Sequence, residues 1–342
     1  MTPNAARRPL SVGVAVDLFW SETAGGHVKC WERFAEQAAL RPKDIDLTVY
    51  LLGDEERVIP LGDGARLHLV PPAFATYRMP FVRRGGGAGD TDLARRNPTV
   101  EPLLRDHDVL HATAPFAIGK SFRRMARRMD APLVFSTHTD FPEFTRVYSR
   151  RILESALGTG LFGKLALKGL KLDHRFARNM RRKVRAMIGA SDHLMASRDK
   201  DVQLARGLLP AERVSRLRRG VDKIKFSPEK RDTVRLRRDF GIPTDRRIAL
   251  FVGRMDDSKG LNILVDAARM LLDAGLPLHV MAVGGGERLE ALRRAVGPNA
   301  SMPGAVPQDA LPRIYASADL FVFPSRTDVA GNVVLEAKAS GL

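Results

Sequence analysis

Short apolar runs alternate with longer stretches of helical period along the whole chain, and nothing else in the sequence restricts the fold as tightly. In the first half, strands fit residues 11–16, 46–51, 67–70, 109–111 and 133–137, with helices over 26–40, 117–129 and 175–187. In the second half, strands fit 214–217, 247–252, 278–283 and 320–323, with helices over 260–272, 287–296, 309–316 and 332–340. A repeated strand–helix unit returns to its sheet in parallel, so helices cover both faces. The 342 residues suffice for two such domains, each with its own core. The change between halves falls around 198–222, and the expected division is 1–205 and 206–342. The expected fold class is α/β, with two doubly wound, Rossmann-like domains facing each other across a cleft. Ligands of such sheets bind outside the carboxyl ends of the strands.

A net charge of +17 favours anionic partners: nucleic acid, anionic lipid or phosphorylated small molecules. Two Trp and four Tyr give little stacking surface, and no binding module is visible, so no specific nucleic-acid partner is expected. The single cysteine, Cys30, excludes a disulfide framework and a cysteine-rich metal site, and a cytosolic, reducing compartment is the expectation. The first apolar run breaks at Asp17 without a small-residue cleavage site and reads as a strand rather than a signal peptide. No apolar stretch approaches bilayer-spanning length. Basic residues crowd segment 149–185, interleaved with an apolar, glycine-containing stretch over 153–172. That composition suits an interfacial helix on an anionic membrane, and equally a solvated basic helix face.

The motifs fall where strands end. After the strand at 247–252 come Gly253, Arg254 and, five residues beyond it, Lys259, followed by a helix. Arg suits bidentate contact with phosphate oxygens and Lys acts as a point charge, so the pair can neutralise a diphosphate. Gly284, Gly285 and Gly286 also follow a strand and open a helix, but the strict Rossmann spacing fails at Leu289. Gly304, after Met302 and Pro303, offers backbone groups to a base edge. Near the end of the chain a buried strand leads into a polar loop with Asp328, and Gly331 and Asn332 then open a helix that carries Glu336. The free amides of that helix start can hold an anion between the two carboxylates. In the first half, His27 follows Gly25 and Gly26, His111 ends one strand, and His138 with Asp140 ends another, where an imidazole can approach a reacting sugar.

Taken in order, Gly25-Gly26, His138-Thr139-Asp140, Arg219 to Asp222 with Phe226-Ser-Pro, Gly253-Arg254 with Lys259-Gly260, Gly284 to Glu287, Pro324-Ser325 and Asp328 through Glu336 to Gly341 resemble the retaining GT-B glycosyltransferases of family four. The segment around Gly331 to Glu336 resembles the bacterial branch that forms mannosyl and glucosyl glycolipids. The resemblance implies an acceptor-binding domain over 1–205 and a nucleotide-sugar-binding domain over 206–342. It implies that Arg254 and Lys259 bind the diphosphate of a UDP- or GDP-sugar and that Glu336 binds the ribose. Asp328 with the amides near Gly331 and Asn332 would hold the donor sugar, His138 would stand beside that sugar, and Gly26 and Gly253 would line the site. No metal and no cofactor beyond the nucleotide-sugar co-substrate are expected. The implied acceptor is a lipid or glycolipid at an anionic membrane surface, which would make the protein cytoplasmic and peripheral to the inner face of the plasma membrane. Asp328 stands where the family has Glu, and Ala330 where it has an aromatic residue. The family also continues past the position of Leu342, so the second domain is expected to be incomplete. An NAD-dependent oxidoreductase built on the Gly284 loop, and a catalytically dead fragment of a glycosyltransferase, are the alternative readings.

Overall fold

The computed structural model describes residues 8–22, 24–80, 82, 88–158, 160–217, 219–256, 259–286, 288–325 and 331–342. It consists of two compact units, Met1–Arg218 and Arg219–Leu342.

The first unit runs β1 (Leu10–Phe19), α1 (Gly26–Ala39), β2 (Ile45–Leu52), β3 (Arg57–Gly62), β4 (Ala65–Val70), α2 (Val100–Leu103), β5 (Val109–Ala112), α3 (Ala117–Met129), β6 (Leu133–Ser136), α4 (Phe141–Leu157), α5 (Leu161–Lys164), α6 (Leu172–Ile188), β7 (His193–Ala196), α7 (Asp199–Ala205) and β8 (Val214–Arg216). Its eight strands lie in the order β3-β4-β2-β1-β5-β6-β7-β8. All neighbours pair in parallel except β3 with β4. Alternation along β1 separates two cores. Val14 and Val16 join Val28, Trp31 and Ala35 of α1 on one face, and Ala15 joins Ile118 and Phe122 of α3 on the other.

The second unit holds α8 (Thr233–Phe240), β9 (Arg247–Val252), α9 (Leu261–Asp273), β10 (Leu278–Val283), α10 (Leu289–Val296), β11 (Ala300–Gly304), α11 (Leu311–Ser317), β12 (Leu320–Phe321) and α12 (Asn332–Ala339). Its sheet has the order β11-β10-β9-β12 and is wholly parallel. Ile248, Leu250 and Val252 pack with Ile314, Tyr315 and Ala337 on one face, while Phe251 packs with Leu264 and Ala268 on the other.

Three local expectations are corrected. The strand expected at 214–217 as the first of the second half is β8, the edge of the first sheet, paired with β7. The apolar stretch 153–172 is not one helix: α4 stops at Gly158, and α5 passes through a single wide turn, Leu165–Gly169, to Lys171 in the left-handed region at φ 48 before α6 begins. Gly158, with φ 68, ends α4 because a side chain there would be strained. Third, α4 stands where no element was expected. Asp140 caps it by accepting from Glu143 N at 3.3 Å, and Pro142 occupies its first turn.

Candidate active site

The carboxyl end of the second sheet is assembled by close backbone contact. Met255 N donates to Gly285 O at 2.9 Å and Arg288 N to Met255 O at 3.0 Å, which lays the 284–286 loop on the 253–255 loop. A β-carbon at Gly284 would fall 2.0 Å from Gly253 O, and one at Gly286 would fall 2.4 Å from Met255 O. These glycines are therefore accounted for by loop-on-loop packing, without any nucleotide. Gly304, in β11, ties the same end together by accepting from Gly284 N at 2.8 Å.

Phe323, just past β12, gathers the predicted phosphate-binding groups. Lys259 Nζ stands 5.8 Å from its ring centroid, and a β-carbon on Gly331 would lie 3.1 Å from its Cε1. Lys259, which precedes α9, and the start of α12 are thereby brought to one place. Gly260 makes this possible: at φ 68 it opens α9, and a side chain there would meet Pro324 O at 2.6 Å. Arg254 is half-buried and pairs with Asp256 at 3.3 Å. Arg219, quoted in the sequence only as part of a pattern, donates to Asn332 Oδ1 at 3.1 Å and so puts a third guanidinium or ammonium at this end of the unit. Gly331 supplies no side-chain cap to α12, and its carbonyl accepts from Val334 N at 3.0 Å.

Glu336 lies one turn into α12, on the Asn332 side. It is 5% exposed, and its Oε2 accepts from the hydroxyl of Tyr315 at 3.1 Å. Tyr315 is itself fully buried in α11, edge-on to Phe226 and Phe321, so its hydroxyl has one place to be. Asp328, expected to hold the donor sugar, lies outside the described residues.

In the first unit the histidines meet. His111 on β5 pairs in register with Val134 on β6, so His111 and Ser136 lie on the same face of the sheet, with His138 just beyond. Ser136 Oγ is 2.8 Å from His111 Nε2 and 2.8 Å from His138 Nε2. His27, beside Gly26 at the start of α1, stacks on His138 with ring centroids 4.4 Å apart. Trp31 stands edge-on to His111 at 5.0 Å. Burial pushes the His111 imidazole down to about 3, so it stays neutral. Asp140, next but one after His138, is a structural acid. Burial opposes its ionisation, but Lys200 and Arg198 hold its carboxyl below the ordinary range. Sequence reasoning placed His138 here but passed over Ser136 and the His27 stack. The two-residue step from Ser136 to His138 was a usable signal; the partner strand was not.

A cavity of about 620 Å3 lies among α4, α6 and α7, lined in part by Thr139, Arg146, Arg178, Arg181 and Lys200. Beyond it, the α5–α6 connection exposes Leu165, Leu170 and Phe176 among the exposed Lys164, Lys168, Lys171 and Arg175. Among the described residues no helix is long and apolar enough to cross a membrane, and no three His, Cys, Asp or Glu side chains gather as metal ligands.

Residues 232–342 match the family described as "Glycosyl transferases group 1". A GDP-mannose-dependent alpha-mannosyltransferase of Mycobacterium tuberculosis is 31% identical over 84% of this chain and 66% of its own length. One from Corynebacterium glutamicum is 27% identical over 72% of this chain and 52% of its own length. The chain thus spans from about half to just under two thirds of these relatives. The crystal structure of WaaG, a glycosyltransferase involved in lipopolysaccharide biosynthesis, superposes with a TM-score of 0.58 at 19% identity, covering 97% of this chain and 79% of that one. At that identity the likeness is one of fold.

Proposed function

We propose that this chain, whose residues 232–342 match the glycosyl transferases group 1 family, is a GT-B enzyme that transfers a hexose, with retention, from a nucleoside-diphosphate sugar. The observation that carries the reading is the convergence, inside the family domain, of Lys259, Phe323 and the start of α12 at Gly331. In this reading Lys259 and Arg254 take the diphosphate and stabilise the charge that grows on it as the glycosidic bond breaks. Helix amides at Gly331 and Asn332 share that charge, Glu336 binds the ribose from an orientation held by Tyr315, and Asp328 contacts the sugar. His138 acts beside the sugar from the N-terminal, acceptor-binding unit, with Gly26 lining the same region. The leaving-group charge falls to these cations and amides, and the reaction is metal-independent. GDP-mannose is the donor we favour over a UDP-sugar, because both relatives above are named as GDP-mannose-dependent.

The acceptor is a lipid or glycolipid. Support for this comes from the cavity lined by Arg146, Arg178 and Arg181, and from the exposed leucines and Phe176 set among lysines, the pattern of a surface that rests on anionic lipid. The protein then works at the inner face of the plasma membrane. Incubation with radiolabelled GDP-mannose and membrane lipid extract tests the reading. Label in the organic phase, with the α-anomer found by NMR, supports it, whereas free mannose alone or no turnover by a folded chain counts against it.

A further inference from the structure

Ser136 Oγ sits 2.8 Å from the Nε2 atoms of both His111 and His138. A serine hydroxyl has one hydrogen, so it can donate to only one of these nitrogens and must accept an N–H from the other. The two imidazoles therefore carry opposite protonation at Nε2. We infer that Ser136 and His111 are positioning residues for His138, with the shared hydroxyl fixing its ring and tying its tautomer to that of His111. This rests on the reading of His138 as the residue beside the donor sugar.

The surroundings leave the hydroxyl no competing partner from bulk water. Ser136 is fully buried, and His138 and His111 are 5% and 7% exposed. Each ring is also held by an aromatic face or edge, His138 by His27 and His111 by Trp31, so rotation out of the hydrogen bond is obstructed. Burial keeps His111 neutral, so that ring carries its single proton on either Nε2 or Nδ1. If a proton is placed on His138, its Nε2–H must donate to Oγ, the hydroxyl hydrogen turns to His111 Nε2, and His111 takes the Nδ1–H form. If His138 is neutral with Nε2 bare, the hydroxyl turns to it and His111 supplies Nε2–H. Passing from the second state to the first takes up one proton at His111 Nδ1, while the His111 Nε2 proton moves to Oγ and the hydroxyl proton moves to His138 Nε2, so both hydrogen bonds to Ser136 are kept with their directions reversed.

Long-range proton–nitrogen NMR correlations on the full chain, with histidine labelled in nitrogen-15, read both tautomers directly. His111→Asn assigns the signals. The expected result is one protonated and one bare Nε2 in the wild type. Ser136→Ala should change the tautomer of at least one ring, and Ser136→Thr, which keeps the hydroxyl, should restore it. Identical Nε2 states in the wild type would overturn the inference, as would unchanged tautomers in Ser136→Ala. In turnover assays Ser136→Ala should lower kcat roughly five- to tenfold with donor KM within about twofold, as loss of one orienting hydrogen bond implies. Coupled tautomers with full activity in His138→Ala would remove His138 from the reaction and leave the coupling standing, so the two readings fail separately.

Discussion

Tyr315→Phe deletes one oxygen from a fully buried side chain and removes the hydroxyl that donates to Glu336 Oε2 at 3.1 Å. The phenyl ring still fills its place against Phe226 and Phe321, so no cavity larger than the oxygen is left. What is lost is a hydrogen bond to a charged group, with the acceptor, Glu336, 5% exposed. Bonds of that kind contribute about 1.5–3 kcal/mol net. With an urea dependence of about 1–3 kcal/mol per molar for a domain of this size, the unfolding midpoint of the C-terminal unit should fall by roughly 1 M. Both tryptophans, Trp20 and Trp31, lie in the N-terminal unit, so the transition must be followed by far-ultraviolet circular dichroism rather than tryptophan fluorescence. The same substitution removes one restraint from the Glu336 side chain, and ordering it again on binding costs about 0.5–1.5 kcal/mol, or roughly two- to tenfold in GDP affinity. Glu336→Gln keeps an acceptor for Tyr315 and should recover most of the stability but little of the affinity. A Tyr315→Phe midpoint within 0.2 M (a tolerance of about 0.2 M in such measurements) together with unchanged GDP affinity would refute the assignment of Tyr315 as the orienting group.

Lys259→Ala removes a half-buried cation at the proposed diphosphate site; GDP affinity should fall roughly 10- to 100-fold in calorimetry, and an unchanged constant would take Lys259 out of the site. Asp17 accepts from the amides of Ile118 and Gly119 at 2.7 and 2.9 Å, yet burial raises its carboxyl to about 7. The folded state then keeps a proton that the unfolded state has released, so stability drops as pH rises from about 4 to about 7, by at most about 1.4 kcal/mol per pH unit. Asp17→Asn should remove that slope from chemical denaturation, and parallel pH profiles for the two proteins would contradict it. Leu165→Asp with Phe176→Asp strips the exposed apolar tip, each change costing about 1–2 kcal/mol of partitioning, so sedimentation with phosphatidylglycerol vesicles should fall at least roughly tenfold. Undiminished sedimentation would assign vesicle binding to bulk charge.

The strands that carry the site were readable because their flanks follow simple rules. The run before Arg254 is continuously apolar, as a strand covered on both faces must be, whereas the equally apolar run before Ser325 yields only the two-residue strand β12, with Leu320 54% exposed rather than buried as expected. Gly260 and Gly331 mark helix starts. Less was legible where the decisive partner lies far along the chain. Residues 214–216 have strand character by themselves, but only pairing with β7 assigns them to the first sheet. The edge strand β3 was hidden by Pro60, which is tolerated there because an edge leaves one side of the strand unpaired. In α4 Phe141, Phe144, Tyr148, Ile152 and Ala156 recur at helical spacing, so this helix was legible in the sequence and was passed over. The Gly284–Gly286 run shows the limit for site residues. Glycines serving a phosphate and glycines serving a second loop look alike in sequence, and the approach to Gly253 and Met255 is what separates them. His27, His111 and Ser136 become partners of His138 only through the register of β5 with β6 and the packing of α1.

Calorimetric titration of GDP, UDP and NAD into the protein decides whether it takes a nucleoside diphosphate. Saturable binding of GDP without added metal, weaker binding of UDP and no heat with NAD are expected. Silence toward both diphosphates from a folded protein, or binding of NAD, would contradict that expectation.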